Sequence, residues 1–139
     1  MRIAVLGAGA WGTAMAMSLA PRHSVTLFAR NAAHCAAMRS SRTNEKYLPG
    51  FAFPPSLEIS DDCDAAVRAA EFVLIAVPTS ALRDMLRHAS ANAEAPVVLL
   101  CKGFEPAAAK LPQQVCAEML GTTAPSATLS GPSFAEEVA

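Results

Sequence analysis

A chain of 139 residues is one domain's worth of sequence, and its 53% hydrophobic content is enough to build a core. Only 6% is aromatic while 30 residues are alanine, so that core is one of close backbone approach rather than of large rings. Charged residues, at 17%, are too few for a disordered chain, and a net charge of −1 gives no electrostatic case for nucleic acid or an anionic membrane.

Arg2 to Leu6 is a compact apolar run ending at glycine, a buried strand by length and flanks. The uncharged stretch from Ile3 to Pro21 superficially resembles a secretory signal or a short membrane span. Gly7, Gly9 and Gly12 fall inside it and would interrupt the unbroken helix a signal needs, so a soluble, cytoplasmic protein is expected. Ala10 to Ala20 is a predicted helix stopped by Pro21. Ser24 to Phe28 follows as a strand, and Asn31 as the N-cap of a helix reaching about Ser40.

Ser41 to Leu57 carries Asn44, Pro49, Gly50, Pro54 and Pro55, which predicts a loop or excursion rather than an element. Leu57 to Ser60 is a short strand, after which Asp61 or Asp62 caps a helix to about Ala70. Phe72 to Val77, apolar throughout, has the character of a central parallel strand. Thr79 or Ser80 should cap the next helix, to about Ser90. A strand at Val97 to Cys101, a helix near Leu111 to Leu120, a sixth strand at Ser126 to Leu129 and a polar tail complete the pattern. Strands alternating with helices predict a doubly wound, mostly parallel α/β sheet of about six or more strands with helices on both faces.

Gly7-Ala8-Gly9-Ala10-Trp11-Gly12 is a G-x-G-x-x-G run placed directly after a predicted strand and at the opening of a predicted helix. In that context Gly7 makes the tight turn, Gly9 admits a pyrophosphate and Gly12 lets helix and strand approach. The helix N-terminus then offers N–H groups and a positive dipole end to phosphate. An NAD site usually has Asp or Glu at the end of the second strand, yet this strand ends Phe28-Ala29-Arg30-Asn31 and no carboxylate precedes Glu45. Arg30 suits a 2′-phosphate, so NADP is expected in preference to NAD.

Lys102 stands alone at the tip of an apolar strand, a candidate contact for an anionic or carbonyl substrate. The other lysines, Lys46 and Lys110, are expected away from the strand-end crevice. Cys35, Cys63, Cys101 and Cys116 lack C-x-x-C spacing and read as free, mostly buried thiols, and the three histidines show no metal spacing.

Several segments occur together and in order: the glycine run, Phe28-Ala29-Arg30-Asn31, Asn44-Glu45-Lys46-Tyr47-Leu48-Pro49-Gly50, Val77-Pro78-Thr79, Lys102-Gly103-Phe104-Glu105 and Ser130-Gly131-Pro132-Ser133-Phe134-Ala135. Over the whole chain this resembles bacterial NAD(P)-dependent sn-glycerol-3-phosphate dehydrogenase. The resemblance implies reduction of dihydroxyacetone phosphate to sn-glycerol 3-phosphate, a phospholipid precursor, by an enzyme that is a homodimer at full length. It also implies cofactor contacts at Ala10, Trp11, Arg30, Asn31, Tyr47, Lys102 and Ala135, and substrate contacts at Lys102, Gly131 and Ser133. Family members often have Ser or Thr at the position of Ala10, so only a backbone contact carries over there.

Residues 1–139 are accordingly expected to be the dinucleotide-binding domain alone. A helical second domain would supply the proton-donating lysine, and this part by itself would be inactive. Ketone reduction needs a general acid beside the hydride donor, and no residue in this stretch offers an evident one. Two other readings stay open: another two-domain NADP-linked reductase of ketopantoate or 3-hydroxy acid type, and a non-catalytic nucleotide-sensing module.

Overall fold

In a computed structural model, which describes residues 1–92, 94–131 and 134–139, the chain runs β1 (Arg2–Leu6), α1 (Ala10–Leu19), β2 (Ser24–Phe28), α2 (Ala32–Ser41), β3 (Thr43–Asn44), β4 (Leu48–Ala52), β5 (Glu58–Ser60), α3 (Cys63–Ala69), β6 (Phe72–Ile75), α4 (Leu82–Ala89), β7 (Val97–Leu99), α5 (Pro112–Leu120), β8 (Ser126–Thr128) and α6 (Ala135–Val138). Six strands form one sheet in the order β5-β2-β1-β6-β7-β8, and every pairing in it is parallel. The chain moves outward from β1 to β2 and β5, then returns to β1's other side and moves outward through β6, β7 and β8. The carboxyl ends of β1 and β6 therefore flank the point where strand order reverses, where such sheets hold ligands.

Alternation along each strand feeds two cores. Ile3 and Val5 join Val25, Leu27 and Leu74 on the face covered by α1 and α2. Ala4 and Leu6 join Val73, Ile75, Val97 and Leu99 on the face covered by α3, α4 and α5. The alanines serve this double cover: Ala14 and Ala16 of α1 are fully buried, so the helix lies close on the sheet. Asn31 caps α2 by accepting a hydrogen bond from the His34 N–H at 2.8 Å. Of the two candidate caps for α3 it is Asp62 that serves, accepting from the Ala65 N–H at 2.9 Å.

Three expectations are corrected. Residues 43–52 form an antiparallel hairpin, β3 with β4, rather than a loop; its irregular register and the exposed Pro49 and Gly50 hide it from a pattern search. Neither Thr79 nor Ser80 caps α4. A 3₁₀ turn at Thr79–Ala81 precedes the helix, and the Thr79 hydroxyl instead donates to the Phe104 carbonyl at 3.0 Å. The tail ends in the short helix α6. Strands β6, β7 and β8 also stop one or two residues early, at Ile75, Leu99 and Thr128; after β6 the chain passes against the glycine run, with Ala76 packed beside Gly7 and Gly12.

Candidate functional site

A cleft of about 670 Å³ opens over the carboxyl ends of β1, β2 and β6, within the range of small-molecule sites. Gly7, Ala8 and Gly9 form its floor, Phe28 to Asn31 one wall, and Ala76 to Pro78 the other. The three glycines are required for different reasons. Gly7 has φ +115°, and a Cβ there would stand 2.4 Å from the Ala76 carbonyl oxygen. At Gly12 a Cβ would lie 1.9 Å from the Gly7 oxygen, so this residue sets the approach of α1 to the turn. A Cβ at Gly9 would meet no described atom within 4 Å. Its direction is open space, the cradle that a phosphate group would fill.

Helix α1 starts at that cradle with no side-chain cap at Gly9 and no acidic residue in its first turn. Its leading N–H groups and dipole are left for an anion. These features fit a dinucleotide: Gly7, Gly9, Ala10 and the first turn of α1 would hold its pyrophosphate, and Arg30 and Asn31 would stand at its adenosine end. Arg30 is exposed, and its side chain makes no hydrogen bond or ion pair with a described residue.

Lys102 leaves the end of β7 on the other side of Trp11. Its ammonium is 6.0 Å from the Trp11 ring centroid and donates to the Gly131 carbonyl at 3.1 Å. Helix α6 packs on α1, bringing Ala135 into the apolar cluster that also includes Trp11. The fold thus brings Trp11, Lys102, Gly131 and Ala135 together beside the start of α1, although none of the four lines the cleft itself; Ser133 lies outside the described residues. The loop after Lys102 is anchored by Glu105, whose side chain is 6% exposed. Its carboxylate takes the Arg83 guanidinium, which also reaches Glu118 at 2.9 Å, and Glu118 in turn pairs with Lys110.

Lys46 is a correction: it lines the cleft rather than lying away from it. The hairpin carries it there. Buried Asn44 donates from Nδ2 to the Ala8 carbonyl at 3.0 Å and to Thr13 Oγ1 at 2.8 Å, pinning β3 to the glycine run. Tyr47 then stacks on His34 of α2, with ring centroids 5.5 Å apart. In the sequence Asn44 stands only as one of the loop-forming residues between Ser41 and Leu57. The only available signal was an Asn between a helix end and a turn.

Burial raises all four thiols above the ordinary range, Cys63 to about 12. None is a poised nucleophile. No group of three or more His, Cys, Asp or Glu among the described residues is arranged to hold a metal ion, and no described helix is long and apolar enough to cross a membrane.

The model of the family described as NAD-dependent glycerol-3-phosphate dehydrogenase N-terminus matches residues 2–139. A glycerol-3-phosphate dehydrogenase (NAD(P)+) from Thiobacillus denitrificans is 53% identical over the whole chain, and one from Nitrosomonas eutropha 49%. The chain spans 43% of the length of each. Among solved structures, glycerol-3-phosphate dehydrogenase from Coxiella burnetii superposes with a TM-score of 0.89 at 34% identity, over 98% of this chain and 42% of that one. A ketopantoate reductase from Ralstonia eutropha, with a TM-score of 0.64 and 23% identity over 92% of this chain and 40% of that one, shares the fold alone. With its family model matched from the second residue to the last, the chain belongs to the N-terminal family of NAD-dependent glycerol-3-phosphate dehydrogenases.

Proposed function

We propose that residues 1–139 are the dinucleotide-binding domain of a cytoplasmic, homodimeric enzyme that reduces dihydroxyacetone phosphate to sn-glycerol 3-phosphate, using NADPH in preference to NADH. The observation that carries this reading is the convergence of the open Gly9 cradle, the uncapped start of α1 and Lys102 held beside Trp11. The bound nicotinamide supplies the hydride. Trp11 and Ala135 shield that end of the site from water, while Lys102 and Gly131 present a cation and a peptide group to the polar end of the substrate. Unpaired Arg30 favours the 2′-phosphate of NADPH.

The proton for the product hydroxyl comes from outside these residues. Lys110 is occupied by Glu118, Lys46 lies over Tyr47, and Lys102 is exposed and held by a carbonyl. Four buried thiols accord with a reducing compartment.

Calorimetric titration with NADPH and with NADH, each with and without dihydroxyacetone phosphate, tests the reading. The expected result is NADPH binding several-fold tighter than NADH, little enhanced by the substrate, with turnover far below the ~10 s⁻¹ of an ordinary enzyme. Failure to bind either nucleotide would overturn the proposal.

A further inference from the structure

The motif residue that dinucleotide binding leaves unexplained is Lys46. It is exposed, forms no ion pair with a described residue, and has its ammonium 5.0 Å from the Tyr47 ring centroid. Its position follows from a chain of contacts. Asn31 caps α2, and His34, in the first turn of that helix, is the platform on which Tyr47 stacks. Arg30 immediately precedes the cap. Asn44 ties the base of the hairpin to the glycine run, and the Tyr47–His34 stack draws its turn towards α2, so Lys46 lines the same cleft as Arg30, where β2 passes into α2.

The surrounding charges point the same way. Of the described residues lining the cleft, Asp84 alone carries a carboxylate, and it is paired with Arg87 at 3.1 Å. On the far side of Arg30 a hollow holds Asp61, Asp62 and Asp64, but each is engaged: Asp61 by Arg39 at 2.9 Å, Asp62 as the cap of α3, and Asp64 by His88 at 2.6 Å. Glu45, next to Lys46, is exposed and does not line the cleft. Arg30 and Lys46 are thus two unneutralised cations facing one space.

We infer that Lys46 is a specificity-determining residue: with Arg30 it seats the phosphate on the 2′ position of the adenosine ribose, and so discriminates NADPH from NADH. Arg30 supplies a planar fork, and Lys46 a mobile point charge steered by the Tyr47 ring. The inference rests on the dinucleotide reading above. It adds a second cation that no contact within the glycine run requires.

The test is fluorescence titration of the chain with NADPH and NADH, comparing the parent with Lys46→Gln and Lys46→Arg. Removing one partly exposed cation from a phosphate should weaken NADPH about tenfold and leave NADH within about twofold. Lys46→Arg, which keeps the charge, should retain most NADPH affinity. Raising the salt concentration should erode the NADPH advantage of the parent more than that of the Gln variant. Equal losses for both nucleotides would place Lys46 at the pyrophosphate or in a general field, and would overturn this inference while leaving the dinucleotide reading intact. Equal loss in the Arg and Gln variants would overturn it as well. A parent chain that binds neither nucleotide would overturn both.

Discussion

One added methyl group should have opposite consequences at Gly9 and at Gly12. At Gly12 it would be driven against the Gly7 carbonyl oxygen, an overpacking the turn cannot relieve without moving α1 off the sheet. Gly12→Ala is expected to cost about 3 kcal/mol and to lower the melting temperature by roughly 10 °C. At Gly9 the methyl would meet open space, and the backbone, at φ −73°, suits any residue. Gly9→Ala should cost less than about 1 kcal/mol yet weaken both nucleotides at least about tenfold, because the methyl occupies the phosphate's place. Thermal melts with and without NADPH separate the two. If Gly9→Ala bound as tightly as the parent, the cradle would not be a phosphate seat. The cysteines show the same distinction between chemistry and packing: a thiol pushed up to about 12, as at Cys63, fills space and does not react.

Between elements, the loop that presents Lys102 depends on charges distant in sequence. Glu105 is buried, and its partner Arg83 projects from α4. Replacing Arg83 with Met strands a buried carboxylate and should lower the melting temperature by about 5 °C, with most of that loss recovered in the Arg83→Met/Glu105→Gln double variant. Two additive losses would mean that the pair does not act as a unit. Networks of this kind were invisible in the sequence, whereas the strands were not. Ile3 to Leu6 and Val73 to Ile75 announce burial on both faces by being apolar at every position. Ala76 and Val77 look the same in composition, yet lie beyond the end of β6, where the Ala76 carbonyl passes close beside Gly7, an approach with no local mark in the sequence. The glycine run was legible because a local turn defines it. Lys46 was misplaced because the hydrogen bonds that return its hairpin to the cleft join Asn44 to Ala8 and Thr13, more than thirty residues away.

Across the whole molecule, acidic side chains link neighbouring elements, and this fixes how stability responds to pH. Arg39 of α2 holds the Asp61 carboxyl below the usual carboxylate range, and His88 of α4 does the same for Asp64 of α3. The Arg2 backbone N–H lowers Glu71, and Lys110 with Arg83 lowers Glu118 of α5. A carboxyl whose folded pKa is depressed binds its proton more readily in the unfolded chain. Its stabilisation is therefore complete above the ordinary carboxylate pKa, near ~4, and drains away as pH falls through the depressed values. All four groups are solvent-exposed, so each contribution is small, but their signs agree. Urea midpoints should be nearly flat from pH 8 to about 5 and fall steadily below about 4. Asp64→Asn, which cannot take up that proton, should start from a lower plateau and fall less steeply. An acid limb equally steep in that variant would mean that the His88 contact does not tie α3 to α4. The ion pairs would then decorate a fold that the two apolar cores hold by themselves.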